Sequence, residues 1–577
     1  MMREKSWIRI VRWCAAGCVL LFVAGAGGGA RTWVGNEARK SGVGAGAPPW
    51  AQRSPQGSSG QQGGNVVCPI TAVTNPPLSA ALASALALYR TGKFDEAVVA
   101  YNAVVPMGGG EAAAAYAGLA RVYLKQDKVA EAYGAAMKAV ALTPDRAPAV
   151  VALGEVYYRQ GKLGDAEELF LKPLWKCNLD ARAFLGLTNI YRVSLNFARA
   201  KNNIDQAYKL DPEDPDIRRA YLRTLSGEER VKFLKDYLAG ATDDDAETRE
   251  AMTRELAMLE DESNAPEHQC RLVNNVSNTE TRLEPLLYNP RDIRGYGLAV
   301  KLNGVSSRLM LDTGASGILV DSRIAAKAGI KSIADEKIRG IGDKAAMTGF
   351  VGYAEKIQIG ELEFQGCIVE VATGRSVLGD DGLIGADVFR HFLVDLDMPD
   401  GKFKLSPLPP IPDEPATAAS LDTKAGGARH FRDRYIPPEM KDYTKIFLFG
   451  HDMLIPTQVN NAKGKLFLID TGSFDNTLSL AAAKEVTKLD LDEYTTVKGL
   501  NGSVKQVYRA RHAKLQFSHF SQDRQDLVAF DLTNISDADG TEVSGVLGFA
   551  MLVMLDMKVD YRDGLVDFRY DERPRFH

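Results

Sequence analysis

Cysteine and histidine are scarce in this 577-residue chain, with six of one and seven of the other. Cys14 and Cys18 fall in an apolar N-terminal run, which leaves Cys68, Cys177, Cys270 and Cys367 at wide spacings that match no metal cluster. Four scattered cysteines in a large protein form at most one incidental bridge, and their spacing assigns no pair. The histidines (His268, His391, His430, His451, His512, His519 and His577) contain no His-Glu-x-x-His pair, so a zinc-protease reading has no support and no metal is expected. There is no excess of one charge: 70 Lys plus Arg face 74 Asp plus Glu, and a net charge of -4 leaves no electrostatic footprint for nucleic acid. No Gly-x-Ser-x-Gly elbow occurs, and the glycines from Gly42 to Gly46 lack a strand before them and a helix after them, which removes phosphate-cradling loops and any expected cofactor. No apolar run reaches the roughly 20 residues a membrane-spanning helix needs.

The N-terminus carries Arg3, Lys5, Arg9 and Arg12, then an apolar run from Trp13 to Ala26 that ends in small residues. That pattern predicts a signal peptide over 1–30, cleaved near Ala26 or Ala30, and an exported protein that is periplasmic, on the cell surface or secreted; an N-terminal membrane anchor is the alternative. Residues 31–77, rich in Gly, Ser, Gln and Pro, carry too little apolar surface to offset chain entropy and are expected to be a flexible linker.

From Leu78 to about residue 260 the composition is helical, and Tyr89, Tyr123, Tyr157 and Tyr191 follow one another at 34-residue intervals. Ala97, Ala132, Ala166 and Ala200 keep step with them. A 34-residue period of paired amphipathic helices resembles the tetratricopeptide family. The resemblance implies an α-solenoid, with small residues where helices approach, tyrosines filling the grooves between them, and a surface for a protein partner. The acidic stretch Asp243–Asn264 is expected to be its last helix or a solvated lead-in.

From Leu283 the periodicity becomes that of strands, in short β-branched segments separated by Gly and Asn-Gly turns. One β region spans 283–408, a Pro- and Ala-rich linker 409–430, and a second β region 431–577. The two can be compared by counting. Each holds an apolar run ending in Asp-Thr-Gly, at Asp312-Thr313-Gly314 and Asp470-Thr471-Gly472, with 158 residues between the aspartates. Gly340-Ile341-Gly342 begins 28 residues after Asp312, and Gly499-Leu500-Asn501-Gly502 begins 29 after Asp470. Gly385 and Gly548 close matching apolar runs, and from each an Asp-Gly pair (Asp400-Gly401, Asp563-Gly564) begins 15 residues on. The two regions are therefore copies of one unit.

This order of features resembles the aspartic protease superfamily, as two retropepsin-like β-barrel lobes in one chain with the bilobal arrangement of pepsin-like enzymes. The expected fold class is thus multidomain: an all-α solenoid followed by a mostly β bilobal protease fold. Two carboxylates a few ångströms apart share one proton, so one acts as general base on a water while the other, as general acid, polarises the scissile carbonyl. Asp312 and Asp470 are the candidate catalytic pair. Gly314 and Gly472 fit a tight turn. The resemblance implies that Thr313 and Thr471 cross-link the lobes, and that 340–342 and 499–502 (Gly499, Leu500, Gly502) are substrate-covering flaps. Ser473, where the first copy has Ala315, is expected to donate a hydrogen bond to Asp470. The expected activity is exported aspartic-type endopeptidase on protein or peptide substrates; the rival is a noncatalytic peptide-binding scaffold with a pseudo-protease unit.

Overall fold

The computed structural model describes residues 22–24, 78–176, 179–240, 244, 246–264, 268, 270–274, 276–289, 292–338, 347–373, 381–412, 431–500 and 502–570. Of the expected signal segment this includes only Phe22–Ala24, a strand antiparallel to Thr496–Gly499. The expected linker 31–77, the first candidate flap (Gly340, Ile341, Gly342), Cys68, Cys177 and residues 413–430 lie outside the described residues.

Helices run from Ala80 to Asn264, beginning with four antiparallel pairs: Ala80–Arg90 with Phe94–Val104, Gly109–Lys125 with Val129–Leu142, Ala147–Arg159 with Leu163–Trp175, and Ala181–Val193 with Phe197–Leu210. The turn inside each pair has one residue in the left-handed region: Gly92, Asp127, Gly161 and Leu195, again close to a 34-residue period. Glycine takes that conformation without Cβ strain, which accounts for the Thr-Gly-Lys and Gln-Gly-Lys turns. Ala97, Ala132 and Ala166 are fully buried, as the small-residue rule requires. The tyrosines behave differently from expectation. The notch between helices is filled from Tyr101 and Phe170, against Gly118, Gly154 and Gly186, where an added Cβ would come within 2.3–2.7 Å of those rings. Tyr89 instead turns inward, and its hydroxyl donates to Asp216 Oδ2 at 3.0 Å across 127 positions of chain. Lys125 Nζ (2.6 Å) and Arg182 (2.9 Å) meet the same carboxylate, so the solenoid curls until its first helix touches helix Pro215–Leu222. The acidic stretch supplies a last helix, Ala246–Asn264.

After the helices, β structure begins at Arg271, ahead of the expected Leu283. Strand Arg271–Leu272 pairs with Leu362–Ala372 beside a Cys270–Cys367 disulfide, and Thr279–Arg282 pairs with Lys402–Pro407. Each lobe is a curled sheet built in the same way. Strands Asp292–Leu302 and Val305–Asp312 form a hairpin in the first, Asp452–Val459 and Ala462–Ile469 in the second. The turn residues Asn303 and Asn460 both take positive φ. Each donates Nδ2 to a helix-end carbonyl (Ala328, Val486) and accepts a strand N–H (Lys356, Lys514), so the duplication extends to individual hydrogen bonds. The late apolar runs return parallel to the strand leading to each aspartate: Gly382–Gly385 beside Val305–Asp312, and Gly545–Leu547 beside Ala462–Ile469. Between the lobes a shared six-stranded sheet pairs Phe392–Asp397 with Leu555–Asp560, and Gly401 and Gly564 turn its hairpins. One continuous apolar core crosses both lobes.

The solenoid is docked on the second lobe. Leu163 and Val193 join an apolar cluster with Phe449, Leu466 and Val546, and the Tyr158 ring lies 6.3 Å from that of Phe449. Thr541 Oγ1 donates to Tyr158 O at 2.7 Å, Arg159 pairs with Asp537, and Arg199 pairs with Asp433 at 2.9 Å.

Candidate active site

The shared core brings the ends of strands Val305–Asp312 and Ala462–Ile469 together, and with them the two Asp-Thr-Gly turns. Asp312 Oδ1 accepts the Gly314 N–H at 2.9 Å, and Asp470 Oδ1 accepts the Gly472 N–H at 2.8 Å. The other oxygen of each carboxyl, Oδ2, is buried with no hydrogen-bond partner among the described residues, and each carboxyl lies against the opposite turn glycine, close enough to act on the other's ionisation. Burial raises Asp312 to about 6. Burial, and after it the Asp312 charge, raise Asp470 well above the usual carboxylate range. Two buried acids in contact hold a shared proton that neither would keep in water.

The threonines fix the spacing. Thr313 Oγ1 donates to Ile469 O (2.8 Å) and accepts the Thr471 N–H (3.0 Å), while Thr471 Oγ1 donates to Leu311 O (2.8 Å) and accepts the Thr313 N–H (3.1 Å). Four reciprocal bonds across the pseudo-twofold axis leave no polar atom of either hydroxyl idle. Thr471→Val strips two of them and leaves Leu311 O and Thr313 N–H buried and unmatched; at roughly 1–3 kcal/mol per orphaned group, urea unfolding is expected to show a loss of about 3 kcal/mol.

Two expectations need correction. Gly314 and Gly472 are not left-handed; they are glycines because a Cβ on Gly314 would lie 2.8 Å from Asp470 Cγ, and one on Gly472 2.4 Å from Asp312 Cγ. The constraint is close approach to the opposite carboxyl. Ser473 does donate to Asp470 Oδ1, but through its backbone N–H at 3.2 Å, and its hydroxyl is buried without a partner among the described residues. The hydroxyl therefore contributes no bond to the ionised acid.

The second candidate flap is a hairpin, with Gly499 opposite Gly502. Its tip residue Leu500 is 3% exposed and packs across the lobe boundary with Leu286, Met310, Ala315, Leu319, Ile338 and Leu383 of the first lobe. Asp312 and Asp470 are both fully buried. Gly385 and Gly548, which close the two late apolar runs, would drive a Cβ to 2.3 Å from Ala315 O and 2.5 Å from Asp475 O. Asp387 went unrecognised in the sequence: it accepts Ser316 Oγ at 3.2 Å and the Gly317 N–H at 2.9 Å, bracing the turn that follows Asp312. Its place in the second copy is taken by Ala550, so counting between copies passed over it. Among the described residues no group of three His, Cys, Asp or Glu is arranged to hold a metal, and no helix is long and apolar enough to cross a membrane.

Residues 298–388 and 455–551 each match the aspartyl protease family, and residues 82–147 match the tetratricopeptide repeat family. DNA damage-inducible protein 1 of Chaetomium globosum is 26% identical over 173 residues, 30% of this chain and 34% of that protein, so the chain spans about a third of that relative's length. The crystal structure of an aspartic proteinase from Irpex lacteus is similar over 51% of this chain and 98% of its own, with 11% identity and a TM-score of 0.31. The chain thus carries two aspartyl protease segments, preceded by a tetratricopeptide region.

Proposed function

We propose that the protein is an exported aspartic endopeptidase that hydrolyses peptide bonds by water activation between Asp312 and Asp470. The observation that carries this reading is the reciprocal threonine lattice, which holds the two Asp-Thr-Gly turns, and with them two buried carboxyls, at one point. With one proton on the pair, the ionised member takes a proton from water while the protonated member hydrogen-bonds the scissile carbonyl; the tetrahedral diol then collapses as the leaving amine is protonated. No covalent enzyme intermediate forms. The apolar cluster now occupied by Leu500 favours an apolar substrate side chain beside Asp312 once the flap lifts. The basic and then apolar N-terminus supports export. For a protein partner, the outer solenoid helices are favoured, because Val99 (71%) and Trp175 (60%) are exposed there while the inner face is taken up by its own ion pairs and the second lobe.

The test is cleavage of a mixed peptide library across pH, with and without a statine-type inhibitor. Cleavage beside apolar residues, blocked by statine, is expected. The pair is active when it carries one proton. Asp312 is raised above its ordinary value, so the doubly protonated, inactive state persists up to about pH 6 and activity rises through that value. Because Asp470 is raised further, activity then holds across neutral pH. An acid limb of kcat/KM centred near the free carboxylate value of about 4 would show that the pair is solvated in the working enzyme. Peptide binding without cleavage at any pH would favour the scaffold.

A further inference from the structure

The strand beside each catalytic strand differs between the lobes at one position. Strand alternation sends Leu454, Leu466 and Leu468 to one face of the second lobe, where they cluster with Val497 of the flap strand, and sends Met453, Ile455, Phe467 and Ile469 to the shared core. Asp452 and Asp470 continue the first set, because the register that pairs Leu454 with Leu468 carries on to set Asp452 opposite Asp470. In the first lobe the same count, from the Gly297–Met310 pair, sets Gly295 opposite Asp312. A Cβ on Gly295 would lie 3.3 Å from Met310 Cε, on the face that Leu500 covers. The duplicated fold thus builds this corner with no side chain in one copy and a carboxyl in the other, so the scaffold does not require the acid.

Asp452 is costly to keep. It is fully buried, and among the described residues neither of its oxygens has a hydrogen-bond partner. His451 Nε2 stands 3.4 Å from Oδ1 and makes no hydrogen bond either. Burial raises the Asp452 carboxyl well above the usual range, and the groups that act on it after burial, Asp539, Asp312 and Asp387, are all acids. Asp539, the last residue of helix Thr533–Asp539, has a buried Oδ2 that also lacks a partner among the described residues. Arg159, which acts on Asp539, is already paired with Asp537. A buried carboxyl without a donor carries a desolvation cost that a ligand removes by bringing the donor.

We propose that Asp452, with Asp539 beside it, forms a specificity subsite for a lysine or arginine side chain of the substrate, close to the scissile bond on the second-lobe side. The inference rests on the peptidase reading and narrows its substrate class. An ammonium or guanidinium brings several N–H donors for the Asp452 oxygens and Asp539 Oδ2, and its charge offsets that of the acids around them. Its aliphatic stem would lie along Leu454, Leu468 and Val497. The subsite opens with the flap, since Val497 covers this face from the same hairpin that carries Leu500. The two sides of the cleft then differ, with an apolar side chain taken where Leu500 sits and a basic one beside Asp470.

The test is isothermal titration calorimetry of the whole protein with peptides whose scissile amide is replaced by a reduced, uncleavable bond. Each position flanking that bond carries in turn lysine or its uncharged isostere norleucine. At one position lysine is expected to bind at least about tenfold more tightly than norleucine, since hydrogen bonds to charged groups carry that much, and Asp452→Asn is expected to bring the two within about twofold. The matching amide peptides should show the same ratio in kcat/KM. Equal binding of both peptides at every position, no binding of any peptide at millimolar concentration, or a lysine preference that Asp452→Asn leaves in place overturns the proposal. Lysine-selective binding without cleavage of any amide peptide supports the subsite and counts instead against hydrolysis by Asp312 and Asp470, so the two readings fail separately. A loosened fold would weaken both peptides alike and leave the ratio unchanged. If Asp452→Asn fails to fold, Asp539→Asn reads the same ratio from the neighbouring helix.

Discussion

Peptide hydrolysis is expected to fall by at least about a thousandfold when either Asp312 or Asp470 becomes asparagine, with the fold intact. The amide of Asn keeps an oxygen for the Gly314 or Gly472 N–H, and its volume matches the carboxyl it replaces, so the lattice of threonine bonds has no reason to move. What is lost is the shared proton: an amide can neither take a proton from water nor give one to the leaving amine. Both acids are raised by burial, so the native protein meets the cost of ionising one of them in a dry site as the pH rises past their ordinary range. Each substitution removes part of that cost, and thermal stability at neutral pH is expected to stay level or rise. Because the two groups work as one unit, the double variant is expected to be no slower than the single ones. Initial rates on one defined peptide, together with melting temperatures, check all three points. Wild-type-like rates in either single variant would remove the pair from the mechanism, and a fall in melting temperature that tracks the loss of activity would mean the substitutions act through folding.

The parts of this arrangement legible in the sequence were those written twice or written locally. Counting outward from Asp312 and Asp470 identified the duplicated lobe because strand, turn and late glycine run recur at nearly fixed offsets, and sheet topology fixes those offsets. The 34-residue tyrosine period was legible for the same reason. Contacts between elements far apart in the chain were not. Nothing in the spacing of Tyr89 and Asp216 announces that the solenoid curls until they touch. Leu500 reads as a turn residue until the flap is seen lying on the other lobe's Met310 and Ile338. The Cys270–Cys367 bridge needed the antiparallel register of strand Leu362–Ala372 with Arg271–Leu272. The Ser473 hydroxyl failed as a donor because the turn geometry gives Asp470 the backbone N–H first.

Close approach also sets the second large effect, at Gly472. An alanine there would put its Cβ 2.4 Å from Asp312 Cγ and Oδ2, a separation that no carbon reaches without displacement. The neighbours cannot yield cheaply. Thr471 is tied to Leu311 and Thr313, Asp470 N–H is bonded to Leu547 O at 3.0 Å, and Asp312 Oδ1 is held by Gly314. The least constrained group is the Asp312 carboxyl, so the strain is expected to rotate it away from Asp470. Crowding in a packed interior costs on the order of 1–3 kcal/mol, which a protein of this core size can absorb while remaining folded. Catalysis tolerates far less: an acid and a base that must act on one water lose about a hundredfold for a misplacement near 1 Å. Gly472→Ala is therefore expected to lower kcat by at least that factor with a modest drop in melting temperature. It should also shift the acid limb of the pH profile above about 6, because an Asp312 that no longer faces Asp470 stays buried and loses the contact that holds it down. The shift separates this account from general destabilisation, which would lower the amount of active enzyme and leave the limb in place. Ser473→Ala, at the adjacent position, removes a hydroxyl that makes no bond to the acids and is expected to leave the limb where it was.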